Sequence, residues 1–90
     1  MRYEFERNFA KDFYKLKDRK LAQEILITIQ NVASASSPDE IRNIKKLKGH
    51  NTAYRIRSGD YRIGVFIEDD TVFFSAFDHR SKIYRRFPKK

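Results

Sequence analysis

Residues 53–78 read AYRIRSGDYRIGVFIEDDTVFFSAFD, and the architecture turns on them. Three runs rich in β-branched and aromatic residues stand out: Ala53 to Ser58, Tyr61 to Glu68 and Thr71 to Asp78. Gly59-Asp60 and Asp69-Asp70 separate them, and both pairs suit two-residue hairpin turns. Such turns fix which side chains oppose each other. Ser58 then faces Tyr61, Arg57 faces Arg62, Ile56 faces Ile63, and Arg55 faces Gly64. Across the second turn, Ile67 faces Val72, Val65 faces Phe74, and Ile63 faces Ala76. Side chains alternate between the two faces of a sheet. One face is therefore predicted to carry Tyr54, Ile56, Ile63, Val65, Ile67, Val72, Phe74 and Ala76, and this is the core face. The other carries Arg55, Arg57, Arg62, Gly64, Phe66, Phe73, Ser75 and Phe77. A three-residue loop at Gly59 would shift the register and separate the arginines.

Before this stretch, Tyr3 and Phe5 alternate with charged residues, which predicts a short first strand. Phe9, Phe13 and Leu16 follow at i, i+4 and i+7, a helix with one apolar stripe. Asp18 is placed to cap a second helix with the apolar set Leu21, Ala22, Ile25, Leu26, Ile29, Val32 and Ala33. The two form an αα-hairpin on one side of the core. Ser37-Pro38-Asp39-Glu40 opens a further short helix, with Ser37 as cap and Glu40 at the third position. Ile41, Ile44 and Leu47 pin the segment after it. The tail from Arg80 to Phe87 is a short helix or an irregular end, stopped by Pro88. The order β-α-α-(α)-β-β-β-α makes a single α+β domain over residues 1–90. Its helical hairpin packs on one face of a small, twisted, mainly antiparallel sheet.

Ninety residues allow one small core. Cysteine is absent, which removes disulfides, thiolate metal sites and a Cys nucleophile, and favours the reducing cytoplasm. No apolar run reaches a membrane span, and Met1-Arg2-Tyr3-Glu4 lacks the apolar stretch of a signal peptide. The formal charge is +8, and it is uneven. Residues 1–40 hold seven basic and seven acidic groups, whereas residues 41–90 hold thirteen and five. A basic half points to a polyanion, with nucleic acid first and an acidic protein second. A solvated basic face is the plainer alternative.

Arg57 directly opposite Arg62 is the informative pair. Like charges facing each other weaken a sheet by a few tenths to about 1 kcal/mol. The pairing makes sense around an anion, because guanidinium forks match phosphate oxygens. Gly64 beside the arginines is read as an open floor for a backbone to approach. Twist and solvation could also simply spread the arginines. Phe66, Phe73 and Phe77 on this face either stack bases or are covered by the chain's own tail or a partner. Coverage is the preferred reading. No P-loop, dinucleotide fingerprint, zinc motif or helical carboxylate pair is present, and no metal or cofactor is expected. His79-Arg80 and Tyr84 lie just past the last strand, and both His and Tyr can move protons. Arginines with Tyr and His, and no metal ligands, suit attack of a ribose 2′-OH on the adjacent phosphate. RNA brings its own nucleophile, so the protein need only position it, stabilise charge and transfer protons.

Lys46-Leu47-Lys48-Gly49, Tyr54-Arg55-Ile56-Arg57, Gly59-Asp60-Tyr61-Arg62-Ile63 and His79-Arg80 with Tyr84 together resemble the RelE/ParE toxin superfamily. The resemblance spans nearly the whole chain. It implies the toxin of a type II toxin–antitoxin system. RelE members are metal-independent, ribosome-dependent endoribonucleases that cut mRNA in the ribosomal A site and so inhibit translation. ParE members share the fold, lack the cleavage residues and poison DNA gyrase, which is the alternative here. By analogy Tyr84 activates the 2′-OH, and Arg62 and Arg80 hold the scissile phosphate. Arg55 and Arg57 neutralise the transition state. The best-known members have Lys at the positions of Arg55 and Arg57. They also have a longer spacing than the four residues from Arg80 to Tyr84, which gives His79 a claim as proton donor. Lys45, Lys46, Lys48, Lys82, Arg85, Arg86, Lys89 and Lys90 are expected to contact RNA or the ribosome. The implied partners are a cognate antitoxin covering the basic sheet, the ribosome and mRNA. Operator DNA is bound through the antitoxin.

Overall fold

Five strands order as β1-β5-β4-β3-β2 in one sheet. They are β1 (Arg2–Phe5), β2 (Ile44–Lys46), β3 (Ala53–Ser58), β4 (Tyr61–Glu68) and β5 (Thr71–His79). Only β1 runs parallel to its neighbour, β5; the other pairs are antiparallel. Helices α1 (Arg7–Tyr14) and α2 (Arg19–Ser34) pack on one face. Single 3₁₀ turns span Pro38–Glu40 and Ile83–Arg85. The computed structural model describes residues 1–88, so Lys89 and Lys90 lie outside the described residues.

The local signals act as expected in most places. The Asp18 side chain accepts from the Leu21 N–H at 3.1 Å, capping α2. Asp69 and Asp70 have φ of 51° and 61°, the pattern of a type I′ hairpin. Gly59 at φ 58° supplies the positive angle of the other turn. Ser37 does not cap its turn; instead the Glu40 carboxylate accepts from the Ser36 N–H at 3.0 Å. Ile44–Lys46, expected only to pin the chain, forms a strand pairing with Tyr54 to Ile56.

The β3–β4 register is as predicted, including Arg57 opposite Arg62. The β4–β5 register holds from the turn to Val65 opposite Phe74, and then slips. Gly64 faces Ala76 and Ile63 faces Phe77, so Ser75 is an extra residue and Ile63 does not face Ala76. One added residue reverses the side chains beyond it. Phe77 thereby enters the main core, and Ala76 turns to the opposite face. The expected placements of these two residues are both corrected.

The main core joins Phe9, Leu21, Ile25 and Val32 of the helices to Ile56, Ile63, Val65, Val72, Phe74 and Phe77 of the sheet. Leu26 and Ala33, assigned to this side of α2, are exposed instead. Leu26, Tyr14 and Phe5 rim an apolar groove of about 320 Å³ between the helices and β1. A second core lies on the opposite face, where Ile83 and Phe87 of the tail cover Ala53, Phe66 and Ala76. The Phe87 ring packs 5.0 Å from that of Phe66, centroid to centroid. Phe73 borders this cluster. The aromatics of this face are thus covered by the chain's own tail.

Gly64 is not an open floor. A Cβ there would sit 2.5 Å from the Phe87 ring, so the missing side chain is space for that ring. Gly64→Ala is expected to lower unfolding free energy by about 1–3 kcal/mol through overpacking. Chemical denaturation measures this, and the loss should be smaller in a Phe87→Ala background, because the two changes share one contact.

Candidate active site

Arg55, Arg57 and Arg62 project from one end of the β3–β4 hairpin, on the face that bears the tail. The Arg62 guanidinium donates to the Gly59 and Tyr61 carbonyls, each at 2.9 Å, which folds it back over the turn. Arg55 donates to the Asn43 carbonyl at 3.1 Å. The same carbonyl accepts from the Arg57 N–H at 3.1 Å. Asn43 adopts φ 63°, a left-handed angle that Asn tolerates better than most residues. That loop residue orients Arg55 and was not foreseen from the sequence.

The tail supplies the rest. The Arg80 N–H donates to the Asp60 carbonyl at 2.8 Å, tying the end of β5 to the β3–β4 turn. Ile83 is buried, while its neighbour Tyr84 is 57% exposed on the same turn. Arg62 is the centre of the group. Its pKa is held below the usual arginine range, first by burial and next by repulsion from Arg55. Arg57 and Arg80 add to the lowering, and Tyr84 acts in the opposite direction. Arg55, Arg57, Arg80 and Tyr84 therefore all lie close enough to act electrostatically on Arg62. Arg62 remains a cation near neutrality.

His79 is not gathered in. It pairs with Tyr61 across the strands, and its ring meets Tyr61 edge-on at 5.8 Å. Tyr61 packs against the helix-side core, so the alternation carries His79 away from the arginine face. Its Nδ1 accepts from the Ser81 N–H at 3.1 Å and lies 2.8 Å from the Ser81 hydroxyl. The bulge at Ser75 sets this phase, and the sequence carries no plain signal for it.

The wider basic set divides. Lys45 pairs with Arg55 and joins the arginine face, whereas Lys46 pairs with Tyr54 and points to the helix side. Lys48, Lys82 and Arg85 are exposed. Arg86 is already paired, to Asp12 at 2.7 Å and Asp78 at 3.4 Å. The Asp12 hydrogen bond raises its pKa; burial opposes this, and Asp78 adds to the rise. Among the described residues, no cluster of side chains suits a metal ion, and no helix is long and apolar enough to cross a membrane.

A family model described as the ParE toxin of the type II toxin–antitoxin system parDE matches residues 3–84. The chain belongs to this toxin family. It is similar to Toxin RelE3 of Methanocaldococcus jannaschii, with 35% identity over 89 residues, 98% of this chain and all of the relative. The toxin fold matches the RelB–RelE antitoxin–toxin complex from Methanococcus jannaschii with a TM-score of 0.75 and 34% identity. That match covers 93% of this chain and 98% of the other. The RelE–RelB complex from Pyrococcus horikoshii OT3 matches at TM-score 0.71 and 21% identity, covering 90% and 96%. That likeness speaks for the fold alone.

Arg57 faces Arg62 with no carboxylate between them in the register. Arg57→Thr is therefore expected to leave stability unchanged or to raise it by a few tenths of a kcal/mol, as relief of a like-charge pair does. Urea unfolding of the variant at low salt measures the difference.

Proposed function

We propose that this toxin is a RelE-type endoribonuclease that cleaves mRNA on the ribosome. The gathering of Arg55, Arg57, Arg80 and Tyr84 around Arg62 carries the reading. A non-catalytic gyrase poison has no need of clustered arginines with a phenol at their rim. The full-length similarity to a RelE toxin supports the same branch, although the matching family model bears the ParE description.

The chemistry follows from the groups. Tyr84 takes the proton from the 2′-OH as the 2′ oxygen bonds to phosphorus. The bond to the 5′ oxygen breaks, that oxygen takes a proton from solvent water, and the upstream fragment ends in a 2′,3′-cyclic phosphate. Negative charge gathers on the phosphate oxygens, where Arg62 and Arg80 hold the group and Arg55 and Arg57 add fixed positive charge. Arginine is a poor proton donor at neutral pH but a dependable cation. The exposed Lys45, Lys48, Lys82 and Arg85 broaden the contact with RNA and make binding salt-sensitive. The tie between His79 and Ser81 favours Tyr84 over His79 as the proton-moving group.

The named partner is a cognate antitoxin, as the RelB–RelE complexes of the relatives suggest. Its place is over the basic face. The apolar groove beside Tyr14 and Leu26 is a second surface of the kind protein partners cover. We place the toxin in the cytoplasm, where its ribosomes are.

Translation in vitro with added protein, followed by mapping of mRNA 3′ ends, tests the reading. Wild type is expected to leave cut mRNA, and a folded Arg62→Ala protein to leave it intact. Tyr84→Phe should slow cleavage about 100-fold or more, the scale of a lost general base. Intact mRNA together with trapped gyrase–DNA complexes would replace this reading with the ParE one.

A further inference from the structure

The segment after β5 brings Arg80 and Tyr84 to the site on a short, exposed turn. Two buried side chains seat it, Ile83 and Phe87, both on the second core. Apolar burial is not directional. The Arg80 N–H bond to the Asp60 carbonyl holds the start of the segment, but past it two apolar anchors alone do not set how the turn is rotated, and a rotation there would swing the phenol of Tyr84.

Arg86 supplies a third point. Its Nη2 donates to Asp12 Oδ2 at 2.7 Å, reaching past the edge of the sheet to α1. Its Nη1 donates to the Phe77 carbonyl at 3.3 Å and to Asp78 Oδ2 at 3.4 Å. A planar fork held at both nitrogens fixes direction as well as position. Its acceptors are themselves anchored. Asp12 precedes Phe13, which packs on the core, and Asp78 follows the buried Phe77. The Arg86 N–H also closes the turn onto the Ile83 carbonyl at 2.9 Å.

We propose that Arg86, held by Asp12 and Asp78, is a positioning residue that fixes the Arg80–Tyr84 turn in its cleaving geometry. This rests on the assignment of Arg80 and Tyr84 to the site. The side chains of Arg86, Asp12 and Asp78 are 41%, 36% and 24% exposed. Ion pairs this open to solvent add little to stability. Catalysis is far more sensitive, because small displacements of reacting groups are costly. The two effects can therefore be separated by size.

The test is single-turnover cleavage of mRNA on programmed ribosomes, with the saturated rate and the half-saturating ribosome concentration read separately. Arg86→Gln is expected to lower the saturated rate about 10- to 100-fold. Half-saturation should stay within about twofold of wild type, and melting within about 4 °C. Asp12→Asn should shift the rate in the same direction, and Arg86→Lys, which keeps a charge for Asp12, should recover part of it. A wild-type saturated rate in both Arg86→Gln and Asp12→Asn would overturn the proposal. So would a loss seen only as weaker ribosome binding, which would make Arg86 an RNA contact. Arg62→Ala separates the two levels. If it cleaves normally, the site assignment fails; if it is inactive while Arg86→Gln is normal, only the positioning role fails.

Discussion

The Phe87 ring lies flat against the backbone of Gly64, closer than any Cβ at that position would permit. Much else follows from this contact. It lets the tail settle on a sheet face that would otherwise expose Phe66, and it draws Ile83 down beside it. Tyr84, next to a buried residue on a tight turn, has no option but to face outward at the rim. The second core is small, yet it converts a charged sheet face into a floor with a wall. The arginines stand along that wall.

Their arrangement works against the fold and for the ligand. Arg62 is partly desolvated and repelled by Arg55, Arg57 and Arg80, so its charge is held at a cost, although it stays a cation. A phosphate placed among these groups would reverse the sign of the local interaction energy. The backbone carbonyls of Gly59, Tyr61 and Asn43 hold two of the guanidinium groups meanwhile, and no carboxylate is needed to neutralise them. Asp78, which faces Arg62 across β4 and β5, is bonded to Arg86 instead, and Arg86 also reaches Asp12 on α1.

The sequence was most informative where geometry is local. Gly59-Asp60 and Asp69-Asp70 determine their turns, so the Arg57–Arg62 pair could be read from spacing alone. The Asp18 cap and the Phe9 stripe were equally plain. Legibility stopped at Ser75, because a bulge depends on strand curvature and on packing from both sides, and a serine does not announce one. That single residue moved Phe77 into the core and His79 away from the arginines. Gly64 signals room for a close approach, but the approaching group is Phe87, 23 residues later in the chain and beyond any local rule. Arg86 looked like one more surface cation, since its partners at positions 12 and 78 are distant in sequence or pair with it only after the chain has turned back.

Strand β1 is short. It pairs with Thr71 to Phe74, and among the described residues no strand neighbours the outer side of β5 from Ser75 onward. A bare run of carbonyls and N–H groups is a template on which another chain can add a strand. Arg86 lies across that run, bonded to the Phe77 carbonyl and braced on Asp12. A charged guanidinium there occupies an acceptor that an incoming strand would need and is costly to bury under one. The residue that holds the tail therefore also covers one carbonyl of the sheet's open margin and places a charge there, which is how natural sheets discourage edge-to-edge pairing.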